Sequence, residues 1–443
     1  MSGKEYTLQK KEKTILVIIL SLSFLIKFIL LFTADPVLRS DSLDYQALAY
    51  SLLDGEYSLN GKPTAYVGIG YPAFLSAVFY FAGEGQFYVR LVQSVLDVFT
   101  ALLFFGVCRN FFNVKYSLFS LAVFCFFPSN ILYTQTILSE PLFGFFYMAV
   151  LYLVMSRNFL NKPLVIFSAG LIFGIAVLVR TAFLPVIILI PIYFFLNRSG
   201  LNSKSGSSAF IRYSLIFFTG AVLIIGPWSV RNKIMVGTFS PGTTSGVNFW
   251  MGSNPNATGT YSFSYDKDLP FDYGNEAERD KEYFKLGLEY AVSNPVNYVK
   301  LAFKKVGYLF SSERMIINYF NETLPGQTST DVYRSSNPFI FLLVNVPYII
   351  LMITGIWGLM LIGRKKFFIY GFILMWIITV SLFVGLARYH YVLIPLFIIG
   401  SVMLISSEKG SFKKISKVKK LTAAAFTLFL LSVWTAEFYL LFN

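Results

Sequence analysis

In 443 residues the chain has two cysteines, Cys108 and Cys125, and one histidine, His390. Both cysteines fall in or beside apolar segments, so they provide neither a disulfide framework nor a thiolate metal cluster. One histidine excludes a His-rich metal site. Charge is also scarce: 14% of residues are Asp, Glu, Lys or Arg, against about 25% in an ordinary soluble domain. Hydrophobic residues make up 56%, more than a soluble core can absorb, so the bilayer has to be part of the solvent. The formal charge of +14 would point to nucleic acid in a soluble protein. Here the placement of the charges matters more than their sum, and no nucleic-acid partner is expected.

Apolar stretches long enough to span, or nearly so, lie at 14–33, 88–107, 116–136, 139–156, 164–179, 181–196, 213–229, 339–363, 367–387, 391–406 and 421–441. The first exceeds the apolar core of a cleavable signal and reads as a retained helix; Lys27 within it must snorkel or face protein. Arg180 and Pro185 split one long apolar run into two spans. Residues 69–83, opening Gly70-Tyr71-Pro72, are too short to cross and suit a juxtamembrane or re-entrant helix.

Charge then sets the orientation. With the N-terminus cytoplasmic, the inner segments hold twenty bases, among them Lys10, Arg109, Lys115, Arg364 and Lys414, against the acids Glu5, Glu12 and Glu408. Two large segments, 34–87 and 230–338, fall outside. The first belongs with an N-terminal membrane module, 1–229; the second is an extracytoplasmic loop region; residues 339–443 form the last spans. Residues 197–212, rich in Ser, Gly and basic residues, read as a flexible cytoplasmic linker.

Four polar positions then share the outer side. Asp41 opens a stretch with helical apolar spacing, where the plain reading is an N-cap. Glu140 precedes Pro141, which suits the first turn of a helix. Arg90 opens the second span, with Asp97 two turns further on. Arg388, Tyr389 and His390 sit at a late outer boundary, where a cation beside a phenol suits a phosphate at headgroup depth, or simply anchors an interface. His390 could act as a general base, since an unperturbed imidazole has a pKa near neutrality, but a lone histidine next to Tyr389 is more often a structural hydrogen-bonding residue.

In this order the segments resemble the bacterial membrane glycosyltransferases of the GT-C fold, the group holding protein O-mannosyltransferases and the lipid A aminoarabinose transferase. The resemblance rests on Asp41 and Tyr45 in the first outer loop, Gly70-Tyr71-Pro72, Arg90, Glu140-Pro141, PWSVRN at 227–232 leading into GSNPNATG at 252–259, and Arg388-Tyr389. The chain departs from the pattern at KPTAYVGIGYP, at Ser253 and in having Glu at 140, which bears on acceptor identity more than on reaction class.

The resemblance implies an all-α polytopic membrane protein: a GT-C-type bundle of about eleven transmembrane helices, outer-face juxtamembrane helices and a small extracytoplasmic loop region. It implies an inverting transfer of sugar from a polyprenyl-phosphate donor to a lipid, glycan or protein acceptor at the outer face of a bacterial inner membrane. Asp41 and Glu140 would be catalytic, and together would hold any divalent cation, Mg²⁺ or Mn²⁺. Tyr45, Lys62, Tyr71, Arg90, Arg231, Asn254, Arg388, Tyr389 and His390 would bind substrate. Two other classes stay open at this point. One is a lipid-linked saccharide transporter or flippase; against it stand the lack of repeat halves, the few Gly/Pro-broken spans apart from that around Pro185 and Pro191, and the gathering of polar residues at outer ends. The other is a polysaccharide polymerase or ligase working through Arg231, Arg279, Arg314 and Arg334 of the second outer segment.

Overall fold

The computed structural model describes residues 8–160, 162–197, 208–261, 275–321, 329–363, 367–408 and 411–442. Most of the expected linker 197–212 lies outside the described residues, as do the basic residues at 364–366. Helices dominate the rest. Six are long and apolar enough to cross a bilayer: Lys10–Thr33, Gln86–Cys108, Ala209–Met235, Pro338–Leu359, Ala387–Ser406 and Lys417–Leu441. Shorter apolar helices pack among them; the main core runs from Tyr45 to Leu441, with smaller clusters around Tyr283 and around Trp228. The chain is a multi-pass membrane protein.

Three expected spans are interrupted, each for a local reason. The 116–136 span is a helix over Val114–Cys125 and a short helix over Pro128–Tyr133. Phe127, ahead of Pro128, is driven into the extended region, as the proline ring demands. The 181–196 span starts as a 3-10 helix over Thr181–Ile188, with Pro185 inside it, and becomes α-helical only at Leu189–Leu196. The 367–387 span ends at Leu382, and a 3-10 turn over Ala387–Leu393 precedes the Ile394–Ser406 helix. These breaks place non-helical backbone inside the bundle, which is tolerated where protein or a polar cavity satisfies it.

Segment 69–83 forms a helix of 13 residues, Gly70–Ala82, about 20 Å long at the usual rise and too short to span. Ahead of it lies a small hairpin pairing Ser58–Leu59 with Lys62–Pro63. Asn60 and Gly61, both at positive φ, make its turn, as an Asn-Gly pair favours. An all-α reading did not anticipate it.

Small residues set the tightest helix crossings. A Cβ at Gly170 would sit 2.1 Å from the Phe217 carbonyl oxygen, and one at Gly358 1.7 Å from that of Gly400. Without a hydrophobic drive between helices in lipid, this backbone proximity supplies the packing. Lys27 does not snorkel: its ammonium is fully buried against Asp97 at 2.7 Å, with Ser23 a second partner. The deep acid of the second span and the deep base of the first thereby neutralise each other.

Candidate active site

Asp41 is the first residue of the Asp41–Leu53 helix. Ser40, immediately before it, has φ 49° and ψ −124°, a conformation costly for any residue but glycine. Its flanks hold it there. The Val37 amide donates to the Tyr319 carbonyl at 2.8 Å, and the Arg39 guanidinium donates to the Asn321 carbonyl. Glu140 begins the Glu140–Met155 helix, followed by Pro141 in its first turn, and its side chain is wholly buried. Arg388 lies in the 3-10 turn that follows the broken span.

These three side chains meet. The Arg388 guanidinium donates to the Asp41 carboxylate, and its Nε lies 3.7 Å from Glu140 Oε1. A fourth residue completes the group: Arg180 Nη2 donates to the same Glu140 oxygen at 2.8 Å. Arg180 caps the Pro163–Val179 helix in an extended conformation, which turns its side chain inward. The Tyr389 ring faces both cations, 5.2 Å from Arg180 and 5.8 Å from Arg388, within cation–π range.

Two guanidiniums thus balance two carboxylates. Glu140 Oε2, Arg180 Nη1 and Arg388 Nε are buried without a hydrogen-bond partner. Unmet buried polar atoms of this kind are uncommon in native proteins. Burial works to raise the Asp41 pKa, but Arg388 and, behind it, Arg180 outweigh this and hold the carboxyl below its usual range. Burial and the negative charge of Asp41 push neighbouring Asp44 upward.

Aromatic residues line the acid side. Tyr45 packs edge-on to Tyr71 at 4.8 Å, and its hydroxyl is 3.4 Å from Ser139 Oγ, next to Glu140. The Tyr71 hydroxyl donates to Gln93 Oε1 at 2.8 Å. Tyr45, Tyr71 and Tyr389 thus lie beside the charged cluster.

The remaining candidates are occupied elsewhere. Arg90 donates to the Leu30 and Ala34 carbonyls at 2.6 and 2.9 Å, tying down the end of the first helix. Arg231 donates to the Thr64 and Tyr57 carbonyls at 2.6 and 2.8 Å and stacks on Trp228, so it holds the 34–87 segment. Asn254 closes its own turn, accepting from the Asn256 amide at 2.8 Å. Lys62 is exposed on the hairpin.

His390 faces away from Arg388. Its Nδ1 lies 3.0 Å from the Leu309 carbonyl and its Nε2 lies 3.1 Å from Glu313 Oε1, with both side chains buried. Ser129 also donates to Glu313. This network braces the turn that carries Arg388.

Sequence reasoning missed Arg180 and Glu313. Arg180 interrupts an apolar run and has no nearby acid in sequence to announce a partner. Glu313 sits in a polar stretch, SSER, indistinguishable from loop. A strongly apolar run broken by one arginine was the available signal for the first; nothing local marked the second.

No family model and no curated protein matches the chain. Solved structures do. The apo oligosaccharyltransferase of Archaeoglobus fulgidus aligns over 99% of this chain and 56% of its own, with TM-score 0.52 and 13% identity. The same archaeal enzyme tethered to an acceptor peptide gives TM-score 0.51 over 98% of this chain and 55% of its own, also at 13% identity. The chain has the GT-C fold. It spans about half the length of the archaeal enzyme. The Saccharomyces cerevisiae protein O-mannosyltransferase Pmt1–Pmt2 complex, bound to its sugar donor, matches over 57% of this chain and 38% of its own, with TM-score 0.41 and 16% identity.

Proposed function

We propose that the chain is an inverting glycosyltransferase that moves a sugar from a polyprenyl-phosphate donor to a lipid, glycan or protein acceptor at the outer face of the membrane. One observation carries the reading: Asp41, Glu140, Arg180 and Arg388, drawn from four separate elements, converge on a single cluster in which Asp41 alone is partly exposed, at 32%. The orientation rests on the asymmetry of bases, with the N-terminus cytoplasmic in a bacterial inner membrane.

The chemistry follows from which charges can exchange partners. A phosphate entering the cluster competes with the carboxylates for the guanidiniums, which favour its oxygens through paired hydrogen bonds. Once Arg388 turns to phosphate, Asp41 loses the partner that depresses its pKa and becomes a better base. It then accepts the proton of an acceptor hydroxyl as that oxygen bonds to the anomeric carbon. The carbon–oxygen bond to phosphate breaks on the opposite face, which inverts the configuration. The leaving phosphate takes the electron pair, and Arg388 and Arg180 stabilise its charge. Glu140 holds Arg180 and, through Oε2, orients the acceptor.

A divalent cation fits only in part. Among the described residues no group of three His, Cys, Asp or Glu side chains gathers. Mg²⁺ or Mn²⁺ would rely on Asp41 and Glu140 after Arg388 had moved, where it would offset charge on the phosphate.

The polymerase or ligase reading loses ground because its arginines do not converge. Arg231 binds loop carbonyls, Arg314 faces Glu437 at 3.7 Å and Arg334 donates to the Leu440 carbonyl. The test uses purified protein in nanodiscs with polyprenyl-phosphate sugars, following release of the lipid phosphate. Asp41→Asn should cut turnover by about 10²–10⁴-fold while retaining donor binding; Arg388→Ala should mainly weaken donor binding. Movement of labelled lipid between leaflets without cleavage would overturn the proposal.

A further inference from the structure

A non-helical strap, residues 383–386, joins the Phe367–Leu382 helix to the 3-10 turn that carries Arg388. Backbone of this kind has no hydrogen-bond ladder of its own, so its surroundings decide where it runs. The second outer segment supplies them. The Leu382 carbonyl, at the helix end, accepts from the Tyr298 hydroxyl at 3.2 Å and the Lys305 ammonium at 3.0 Å. The Phe383 ring packs on Phe249, with centroids 5.8 Å apart. Val384 is buried in a small apolar cluster, apart from the main core, whose other buried members are Val247, Met251 and Tyr283; Leu386 packs against the same cluster. The Gly385 amide donates to the Gly259 carbonyl at 3.0 Å.

These contacts account for the glycines at the two ends of GSNPNATG. A Cβ at Gly252 would lie 1.8 Å from the Phe383 carbonyl oxygen, so only glycine lets the loop come this close to the strap. Gly259 has φ 93°, a conformation that favours glycine, and its carbonyl is the one that takes the Gly385 amide. On the strap itself, a Cβ at Gly385 would lie 2.3 Å from the Lys305 carbonyl oxygen. The first and last residues of the motif thus touch the strap, while Asn254 between them bonds within its own loop, to Trp250 and Asn256. Beyond Arg388 the membrane bundle takes over: Trp376 donates to the Tyr389 carbonyl at 2.9 Å, and Tyr391, Val392 and Leu393 belong to the main core. Arg388 sits where backbone held by the outer segment meets backbone held by the bundle.

We infer that the 252–259 loop, together with Val247, Tyr283 and Lys305, is a clamp on this strap that positions Arg388 for the donor phosphate; its members are positioning residues, not substrate ligands. The inference rests on the phosphate-binding role proposed above for Arg388. A guanidinium that must serve both Asp41 and a phosphate needs its supporting shell fixed to a fraction of an ångström, and a misplacement of about 1 Å from a distant change can cost about 10²-fold. The short strap transmits any movement of the loop to Arg388, because its helix end, its Val384 side chain and its Gly385 amide are all held from the outer segment.

The test uses the full chain in nanodiscs and compares Val384→Ala, which loosens the clamp, with Val107→Ala, the same deletion at a buried core position at the far end of the Gln86–Cys108 helix from Arg90. Each is titrated with polyprenyl phosphate and melted. Val384→Ala should weaken binding about tenfold, within the range a misplaced ligand group can cost. Val107→Ala should leave binding unchanged even where it lowers the melting temperature as much. Gly252→Ala, the harsher variant, should weaken binding further if it folds. In an Arg388→Ala background, where the remaining binding comes through Arg180, Val384→Ala should have no further effect. Equal losses in both backgrounds, or full binding by Val384→Ala, would overturn the proposal. A second cycle needs no lipid. The coupling between Asp41 and Arg388, from melting of Asp41→Asn, Arg388→Met and the double variant, should shrink when Val384→Ala is added, and an unchanged coupling also overturns the clamp. If the unsubstituted protein does not bind polyprenyl phosphate, the transferase reading falls, and this second cycle decides the clamp separately.

Discussion

Arg180 and Glu140 form an ion pair of 2.8 Å in which the carboxylate is entirely inaccessible. Neither charge can be left alone at such a site. Desolvation makes a buried pair a modest net contributor, but removing one partner strands the other. Arg180→Met should therefore destabilise the protein by about 3–5 kcal/mol, and Glu140→Leu by a similar amount. The double substitution should recover much of the loss. Thermal unfolding of the four proteins in one detergent, treated as a double-mutant cycle, reads the coupling directly. Additive losses would show that the two side chains do not depend on each other.

Asp41 predicts a pH dependence with a definite sign. Burial raises its pKa, but Arg388 and Arg180 hold the folded value below the ordinary one. A depressed acid stabilises the fold above its unfolded pKa, about 4, and that contribution is lost as pH falls through the folded value. Asp41→Asn should remove this acid limb from the stability profile. A polyprenyl phosphate that draws Arg388 away should shift the limb of the unsubstituted protein upward in pH. Melting curves from pH 3 to 6, with and without the lipid phosphate, separate the two effects; an unchanged limb in Asp41→Asn would count against the pair.

Lys305 gives the opposite case. Among the described residues its ammonium meets the Leu382 carbonyl and the Tyr298 ring, and burial pushes its amine down to about 7. The unfolded chain, whose lysines titrate near 10.4, binds more protons throughout the interval between. Stability should therefore rise as pH climbs from about 7 toward 10. Lys305→Met should remove that rise and be the more stable protein at pH 7. Melting temperatures at pH 7 and 9.5 for both proteins check this.

How much of this was legible depended on the range of the signal. Spans such as 14–33 and 88–107 could be read because hydropathy is a property of the segment itself. Asp41, Glu140 and Arg388 were found through outer-facing position and a family pattern, and they do meet. Their pairing could not be read, because Arg388 reaches Asp41 across most of the chain. Arg180 looked like a break between helices; only the fold shows that the break aims it at Glu140. Arg90 and Arg231, read as substrate ligands from their motifs, instead bind backbone carbonyls at the end of the first helix and in the 34–87 segment. Arginine near an outer boundary does not by itself distinguish a phosphate ligand from a carbonyl ligand, since its donors suit both.

His390 and Glu313 carry the last prediction. The Leu309 carbonyl can only accept, so the His390 Nδ1 beside it, at 3.0 Å, bears a hydrogen. Nε2 lies 3.1 Å from Glu313 Oε1 but is not aligned to hydrogen-bond it. With one further proton on the pair, wherever it rests, the two side chains together carry no net charge. Glu313→Gln preserves that count, because the amide supplies the hydrogen, and should cost no more than about 1 kcal/mol. His390→Leu leaves a buried carboxylate with Ser129 as its remaining side-chain donor and should cost about 3–5 kcal/mol. Because the pair braces the turn that presents Arg388, His390→Leu should also weaken binding of a polyprenyl phosphate, whereas Glu313→Gln should not. Lipid-phosphate titrations of the folded variants, alongside their melting curves, decide it: equal losses in the two variants would show that net charge on the carboxylate, not the proton on the pair, holds the turn in place.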